Sequence, residues 1–317
     1  MPAVPIPAAA GYPQYSGTGF IPPVYSQRLL EQYYCAAILP SVTTTDYIGE
    51  LRGRGDQLTF FREPTVEVRD YVKDGVIEHD TLEIEPVTIM INHAKHFSVK
   101  VDEIDYEMSP MWRRVLDRVT RSAGDTIRQR IDEEAFAYMA ASVHPSNQGP
   151  TAGVQTGYYN LGQVGSPVAL NASNIVEVLT HLSGVLDEQC APQQGRWVIL
   201  PPLAKTHILN SQLSNASFYG GNGVTMLLNG RIPMEIAGFR VYISSFLPSQ
   251  TDPGVGALAY NILAGTNEGM VFATTLEKQR MIDNDKDSWS RYYQGLMAYG
   301  YDVVRPEFLA TLYAYFT

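Results

Sequence analysis

The sequence predicts an elongated α+β protein, and three patterns along the chain support that fold class. Two runs between residues 56 and 105 alternate apolar and polar side chains, with the period of a half-buried strand. Residues 107–143 instead repeat apolar side chains every three or four positions, as an amphipathic helix does. From residue 172 onward, helix patterns alternate with strand patterns rich in Tyr, Phe and Val. We therefore expect an extended hairpin, a long helix and a mixed domain, in that order.

The composition indicates a globular protein and excludes one class of function. The chain has 317 residues, which is long enough for more than one packed unit, and 45% of them are apolar against 18% charged. Its net charge of −10 argues against a protein that condenses DNA, because such proteins need a basic face. The two cysteines, Cys35 and Cys190, make no disulfide framework and favour a reducing compartment.

The N-terminal residues predict neither a signal peptide nor a membrane anchor. Residues 1–20 combine Pro, Ala, Gly and Tyr and lack a basic segment, and no run in the chain reaches about 18 apolar residues. We expect a soluble protein with no membrane partner, whose first residues form an arm that orders against something else. A short amphipathic helix is predicted from Val24, and Pro40 is expected to end it.

The extended hairpin is predicted from two strand-like runs and the turn between them. Asp74 and Gly75 mark that turn. In the second run the alternation persists from residue 86 to 102, although His93 and Lys95 interrupt its apolar face. A single strand of that length would extend roughly 50 Å, at about 3.3 Å per residue.

The long helix is predicted over residues 109–143, with Ser109 as its cap and Pro110 in its first turn. At about 1.5 Å per residue it would also measure roughly 50 Å. Its arginines alternate with acidic residues that include Asp132 and Glu134, a pattern typical of intrahelical ion pairs or of contacts with a neighbouring chain. The predicted buried stripe consists of Trp112, Leu116, Val119, Ala123, Ile127, Ile131, Ala135 and Tyr138.

One strand of the mixed domain has well-defined ends. Asn229 and Gly230 predict a turn before it, and Pro248 is expected to end its pairing. Between them Phe239, Val241 and Ile243 alternate with polar residues. A side chain at Gly238 is expected to crowd the start of the strand.

Two candidate metal sites fail on their spacing. His93 and His96 lie three apart on a predicted strand, so their side chains point to opposite faces and cannot share a metal. Residues 283–287 resemble the start of a calcium loop, but Ser288 and Gln294 occupy the positions that need Gly and Glu. We predict no metal site.

No catalytic or cofactor-binding motif is recognisable either. The glycine-rich residues 219–225 lack the Lys-Ser/Thr of a P-loop and do not follow a strand. Cys190 has His181 nine residues before it, but that spacing fixes no geometry, and lone cysteines are usually small buried apolar residues. The sequence therefore predicts a protein without catalytic residues or cofactors, which is not an enzyme.

Five stretches together resemble, in order and spacing, the blocks of tailed-bacteriophage major capsid proteins. The resemblance covers about residues 19–305 and includes the long helix. The stretches are "GFIPPVYSQRLLEQYY", "GDQLTF" with the run from Gly55 to Gly75, "INHAKHFSVKVDEID", "GRWVILPP" and "NGRIPMEIAGFRVYISSFLP".

The resemblance implies the tailed-phage major capsid fold, which encapsulins and the herpesvirus capsid floor share. It has an N-terminal arm, an extended β-hairpin loop, a peripheral domain with a long spine helix, and an axial domain. The implied boundaries are 1–40 for the arm, 41–90 for the hairpin loop, 91–167 for the peripheral domain, 168–290 for the axial domain and 291–317 for a return to the peripheral domain.

The implied function is structural. The chain would self-assemble as hexamers and pentamers into an icosahedral shell that encloses the double-stranded DNA of a tailed bacteriophage, without sequence-specific contact to that DNA. Its partners would be copies of itself, a separate scaffolding protein, a portal and a decoration protein. It would reside in the virion capsid after assembly in the cytoplasm of the host bacterium.

The candidate contacts between subunits lie on the hairpin and on the long helix. Phe60, Phe61, Val66 and Val68 would be exposed on a lone subunit, so neighbouring copies are expected to cover them. The arginines at the start of the helix are the second set of candidates, namely Arg113, Arg114 and Arg118.

Two alternatives and one family trait complete the expectations. An encapsulin-like bacterial nanocompartment would share the fold, and a soluble α/β enzyme using residues 172–290 is the alternative from another class. Some family members cross-link subunits through a lysine on the hairpin, where this chain has Lys73, but no surrounding motif supports that chemistry here.

Overall fold

The computed structural model describes residues 37–44, 57–61, 68–70, 79, 86–104, 111–211, 235–282 and 289–317. The α-helices with described bounds are α1 Leu39–Val42, α2 Met111–Ala141, α3 Ile175–Glu188 and α4 Pro202–Leu209. The strands are β1 Gln57–Phe61, β2 Pro86–Met90, β3 His93–Asp102, β4 Val168–Leu170, β5 Arg196–Leu200, β6 Glu235–Ile236, β7 Phe239–Ile243, β8 Ser249–Thr251, β9 Leu258–Thr266, β10 Met270–Ile282, β11 Ser290–Val303 and β12 Leu309–Phe316. The predicted α+β class is confirmed.

The largest sheet has seven strands and is covered on both faces. Its order is β4-β12-β9-β5-β7-β6, with β8 also paired to β9; β4 with β12 and β5 with β7 are parallel pairs. Along β5 every residue is buried, because successive side chains enter two different cores. The core under α3 and α4 contains Leu161, Leu179, Leu182, Val198, Leu200, Phe239, Ile262 and Leu312.

The second core lies between the other face of this sheet, the C-terminal half of α2, the short helix α1 and a second sheet. That sheet has three antiparallel strands in the order β10-β11-β3. Among the buried residues of this core are Leu39, Phe136, Met139, Trp197, Ile199, Leu263, Met270 and Tyr299.

The predicted continuous strand from residue 86 to 102 is wrong. The chain breaks at residues 91–92, where it changes partner: β2 pairs with β1, whereas β3 pairs with β11. His93 and Lys95 do not interrupt the inward face of β3, because each has a partner there. The His93 ring stacks on Tyr301 at 5.0 Å between centroids, and Lys95 Nζ lies 2.5 Å from Glu134 Oε1.

The strand pairing divides the C-terminal third of the chain differently from the expected boundary at residue 290. β10, which precedes that boundary, pairs with β11 in the three-stranded sheet. β12, which follows it, lies between β4 and β9 in the seven-stranded sheet. The chain therefore leaves the larger sheet after β9, adds two long strands to the smaller one and returns.

The long helix is present, but its buried stripe differs from the predicted one. Ile131 and Ala135 are buried as expected, whereas Tyr138 is 38% exposed and donates a hydrogen bond to Asp302 Oδ1 at 2.7 Å. Phe136 and Met139 are fully buried in its place. The expected cap residues before the helix and the helix predicted from residue 24 lie outside the described residues. Pro40 lies in the first turn of α1.

The strand predicted to have well-defined ends is β7, and the turn predicted at residues 229–230 lies outside the described residues. Ala237 and Gly238 form a two-residue hairpin loop between β6 and β7, with φ of 51° and 80°. The predicted crowding at Gly238 is wrong, because a Cβ there would meet no atom within 4 Å. The glycine is needed for the positive φ of the turn. Ile243, at the end of β7, is 39% exposed, so the predicted alternation fails at its last apolar position.

Candidate assembly surface

The apolar contacts predicted on the hairpin are only partly within the described residues. Phe60 and Phe61 lie on β1, in register with Val87 and Pro86 of β2, and their side chains are outside the described part. Val66 is also outside it. Val68 is described, and its side chain is 93% exposed.

The hairpin also presents backbone groups for pairing. Within the described ranges β1 pairs with β2 in a two-stranded ladder, and the Thr59 and Thr88 hydroxyls face each other across it at 3.2 Å. A two-stranded ribbon has outer edges whose N–H and C=O groups can bind another strand. Because an isolated hairpin is marginally stable in water, contact with a neighbouring surface would stabilise it.

The arginines predicted as the second set of contacts occupy the first two turns of α2. Arg118 is exposed, while the side chains of Arg113 and Arg114 lie outside the described part. Further along α2 the arginines do form intrahelical ion pairs, as the alternation of charges predicts. Arg128 Nη1 lies 3.3 Å from Asp125 Oδ1 and Arg130 Nη1 lies 2.7 Å from Glu133 Oε2.

Asp132 attaches α1 to α2, a role that the sequence analysis missed by treating it as a surface charge. It is 2% exposed, and its Oδ2 accepts a hydrogen bond of 2.8 Å from the backbone N–H of Ile38. Burial raises the pKa of Asp132 to about 6, although hydrogen bonds from the N–H groups of Ile38 and Leu39 act to lower it. Next to it, Thr44 forms a parallel bridge with Val271 of β10.

Glu134 joins α2 to the three-stranded sheet. Its Oε1 binds Lys95 of β3, and its Oε2 accepts a hydrogen bond of 2.9 Å from the Tyr299 hydroxyl of β11. Burial acts to raise the pKa of Glu134, but the bonds from Lys95 and Tyr299 outweigh it and hold the pKa below its usual value. Burial and then the bond to Glu134 raise the pKa of Tyr299. The periodicity of the helix offered one signal for these contacts, since both acids lie beside its buried stripe.

The described part of the chain contains no group of three His, Cys, Asp or Glu side chains that could hold a metal ion. His93 and His96 lie on opposite faces of β3, as predicted, and residues 283–287 and 219–225 lie outside the described ranges. Cys190 is free and exposed, and the prediction that it is a small buried residue is wrong. His181 contacts the ring of Tyr159 at 5.5 Å between centroids. None of the helices searched in the described residues is long and apolar enough to span a membrane.

The fold is that of tailed-phage major capsid proteins. The chain is similar to a structure from Mycobacterium phage Che8, with a TM-score of 0.66 and 20% identity over 93% of this chain and 97% of that one. It is similar to the capsid of cyanophage P-SCSP1u, with a TM-score of 0.68 and 15% identity over 99% and 100%. For the mature capsid of bacteriophage PhiM1 the TM-score is 0.66, with 13% identity over 94% and 93%.

The sequence agrees with the fold. The family model of the phage capsid protein matches residues 95–312, and the chain therefore belongs to the phage capsid protein family. No curated protein matches it in sequence. It is a structural major capsid protein that associates with copies of itself in a capsid shell, and its place is the virion. The encapsulin alternative is not favoured.

Proposed function

We propose that this major capsid protein forms hexamers and pentamers of an icosahedral shell around double-stranded DNA, in the cytoplasm of a host bacterium. A separate scaffolding protein, a portal and a decoration protein are its proposed partners, and it carries out no catalysis. The observation that supports the proposal best is the hairpin, which combines a two-stranded ladder with the exposed Val68.

We assign the parts of the subunit by their sheets. The proposed arm is residues 1–40 and the proposed hairpin loop is 41–90. The peripheral domain would combine residues 91–167 with β10 and β11, which extend the sheet of β3. The axial domain would combine 168–266 with β12, which completes the sheet of β9.

The proposed contacts between subunits join the hairpin of one copy to the body of the next. Phe60, Phe61, Val66 and Val68 supply apolar area, and burying an aromatic or branched side chain contributes about 1.5–3 kcal/mol. Arg113, Arg114 and Arg118 supply charge at the start of α2. Charged contacts add specificity and association rate more than affinity, so the apolar residues should govern whether shells form.

The charge of the subunit supports enclosure of DNA without condensation of it. A net charge of −10 disfavours broad contact with phosphates, which proteins obtain by releasing counterions with Lys and Arg. The DNA would then be held inside by the closed shell, and no base-specific contact is needed.

The test is electron microscopy of the purified protein, with and without its scaffolding protein, on the wild type and on Phe60→Ser/Phe61→Ser. We expect closed shells tens of nanometres across for the wild type, and folded subunits that fail to assemble for the double variant. Thr59→Ser on the same strand is the control, since it keeps the hydroxyl that faces Thr88.

Two outcomes would contradict the proposal. Normal shells from the double variant would show that the hairpin is not a contact between subunits. A wild type that stays monomeric even with the scaffolding protein would overturn assembly into shells.

A further inference from the structure

A cleft of about 470 Å³ opens beside β5 and β7 of the seven-stranded sheet. Trp197 of β5 forms its inner wall, and Arg240 and Tyr242 of β7 line its side. Trp197 and Arg240 are register partners on these two parallel strands. Residues in register on neighbouring strands lie about 4.8 Å apart and point to the same face of the sheet. The indole and the guanidinium therefore stand side by side in one cleft.

The indole N–H of Trp197 is a buried donor without an acceptor. Trp197 is 1% exposed, and its Nε1 has no hydrogen-bond partner in the described part of the chain. Buried polar groups are almost always paired, and a buried donor left unpaired is destabilising. The ring packs in the second core, but that packing needs only its carbon atoms. The N–H group therefore indicates an acceptor that the described residues do not supply.

The guanidinium of Arg240 is also available to an acceptor. Its Cζ lies 5.5 Å from the centre of the Tyr242 ring. Among the described residues it makes no hydrogen bond or ion pair, although Glu235 is its register partner on β6. Contact with an aromatic ring uses the face of a guanidinium and leaves the N–H groups in its plane for a ligand.

The charges around the cleft favour a ligand with a single negative charge. Arg196 also lines the cleft, but its Nη2 lies 2.7 Å from Asp187 Oδ1, so its charge is already balanced. In the described lining, this leaves Arg240 as the cation without an acidic partner and Glu235 as the acid. A phosphate with two negative charges would lack a counter-charge there, whereas a carboxylate fits the fork of one guanidinium. The volume lies within the range of about 300–1,000 Å³ that is typical of ligand sites.

We propose that this cleft binds a carboxylate, which accepts hydrogen bonds from the indole N–H of Trp197 and from the guanidinium of Arg240. A small organic acid and an acidic side chain of a polypeptide present the same group, and the experiment distinguishes these two sources. Ser41 of α1 also lines the cleft, so a bound carboxylate would contact α1 as well as the large sheet. Binding would then stabilise the folded subunit by mass action. The inference goes beyond the proposed function, because it needs no neighbouring copies.

The experiment follows the indole N–H signals of full-length, unassembled protein by nuclear magnetic resonance. The chain has three tryptophans. Trp112→Phe and Trp289→Phe each remove one signal, so the remaining signal is assigned without changing the buried Trp197. Acetate and the blocked peptide acetyl-Gly-Glu-Gly-amide are the two probes, each exchanged for chloride at constant ionic strength.

Both probes should move the Trp197 proton signal to lower field, as a new hydrogen bond does, and the shift should saturate. Arg240→Met, which changes an exposed side chain, should weaken binding at least tenfold. Lys278→Met is the matched control, because it removes an exposed cation of the other sheet, and it should bind like the wild type. Peptide binding at least tenfold tighter than acetate binding would identify a polypeptide as the source of the carboxylate. A smaller difference would identify a small acid.

Three results would overturn the inference. Neither probe might give a saturable shift of the Trp197 signal, or all three indole signals might move together. Arg240→Met might also bind both probes as tightly as the wild type does. Because none of these measurements involves shells, their failure would leave the proposed function standing, and a failure to form shells would leave this inference standing.

Discussion

Raising the pH from 4 to 7 should loosen the attachment of α1 to α2, because the link between them is the buried carboxyl of Asp132. This side chain is 2% exposed and bonds the N–H of Ile38, and no ion pair to it is present among the described residues. Burial without a cation favours the protonated form, which is why the pKa of Asp132 rises to about 6.

The sign and size of the effect follow from the two pKa values. An unfolded aspartate loses its proton near pH 3.8, so between about pH 4 and 6 the folded protein holds a proton that the unfolded chain has lost. The stability is fully present below pH 4 and is lost as the pH rises through 6. Since one pKa unit corresponds to about 1.4 kcal/mol, the loss is about 3 kcal/mol.

Amide hydrogen exchange of residues 37–44 measures this loss locally. After correction for the intrinsic rates, protection in the wild type should fall roughly a hundredfold between pH 4 and 7, which is the change that about 3 kcal/mol implies. In Asp132→Asn, which has the same shape and does not titrate, protection should hardly change over that range. Because all other titrating groups are the same, the difference between the two proteins reports Asp132.

The reasoning would be refuted if the wild type and Asp132→Asn showed the same pH dependence. It would also be refuted if protection in the wild type rose with pH. Either result would mean that the folded protein does not hold the proton of Asp132 more tightly than the unfolded chain does.

Three substitutions test other parts of the fold through urea unfolding of dilute, unassembled protein. Ala237→Asn should raise the free energy of unfolding by about 1 kcal/mol, because Asn tolerates the φ of 51° in this turn. Gly238→Val should lower the free energy of unfolding by more than about 1 kcal/mol. If both variants were as stable as the wild type, the turn geometry would be contradicted. Arg196→Lys should cost about 2–4 kcal/mol, since lysine cannot replace a buried guanidinium that binds Asp187 and backbone carbonyls. Gly265→Ala should destabilise the protein strongly, because the new Cβ would lie 2.7 Å from the backbone carbonyl oxygen of Phe308, which cannot move as a side chain can. A neutral effect would mean that β9 and β12 can separate there.

The long helix and the strand character of its neighbours were predictable because their periodicities are local. The break between β2 and β3 was not predictable, because its residues are Ile91 and Asn92 and neither Gly nor Pro marks it. Strand partners that lie about 200 residues apart, such as β3 and β11, decide where that chain turns. The rotation of α2 that buries Phe136 and exposes Tyr138 is likewise set by the sheet it packs on.

The contacts between subunits remain predictions, whereas the links inside the subunit were not predictable. Apolar residues on a hairpin with little core of its own predict a surface for other copies, and of the described residues Val68 is exposed. The role of Asp132 depends on the N–H of Ile38, 94 positions away, so no local pattern contains it. Contacts between copies are even harder to predict from the sequence, because they depend on the shape of a completed subunit.

The position of β12 has a consequence for the order of events during synthesis. This strand is inserted between β4 and β9, and Thr317 bonds Leu170 across 147 positions of sequence. Until the ribosome has made these residues, β4 and β9 each lack a neighbour, and folding must wait for a contact of very long range. A growing chain therefore cannot complete the seven-stranded sheet until β12 has been made.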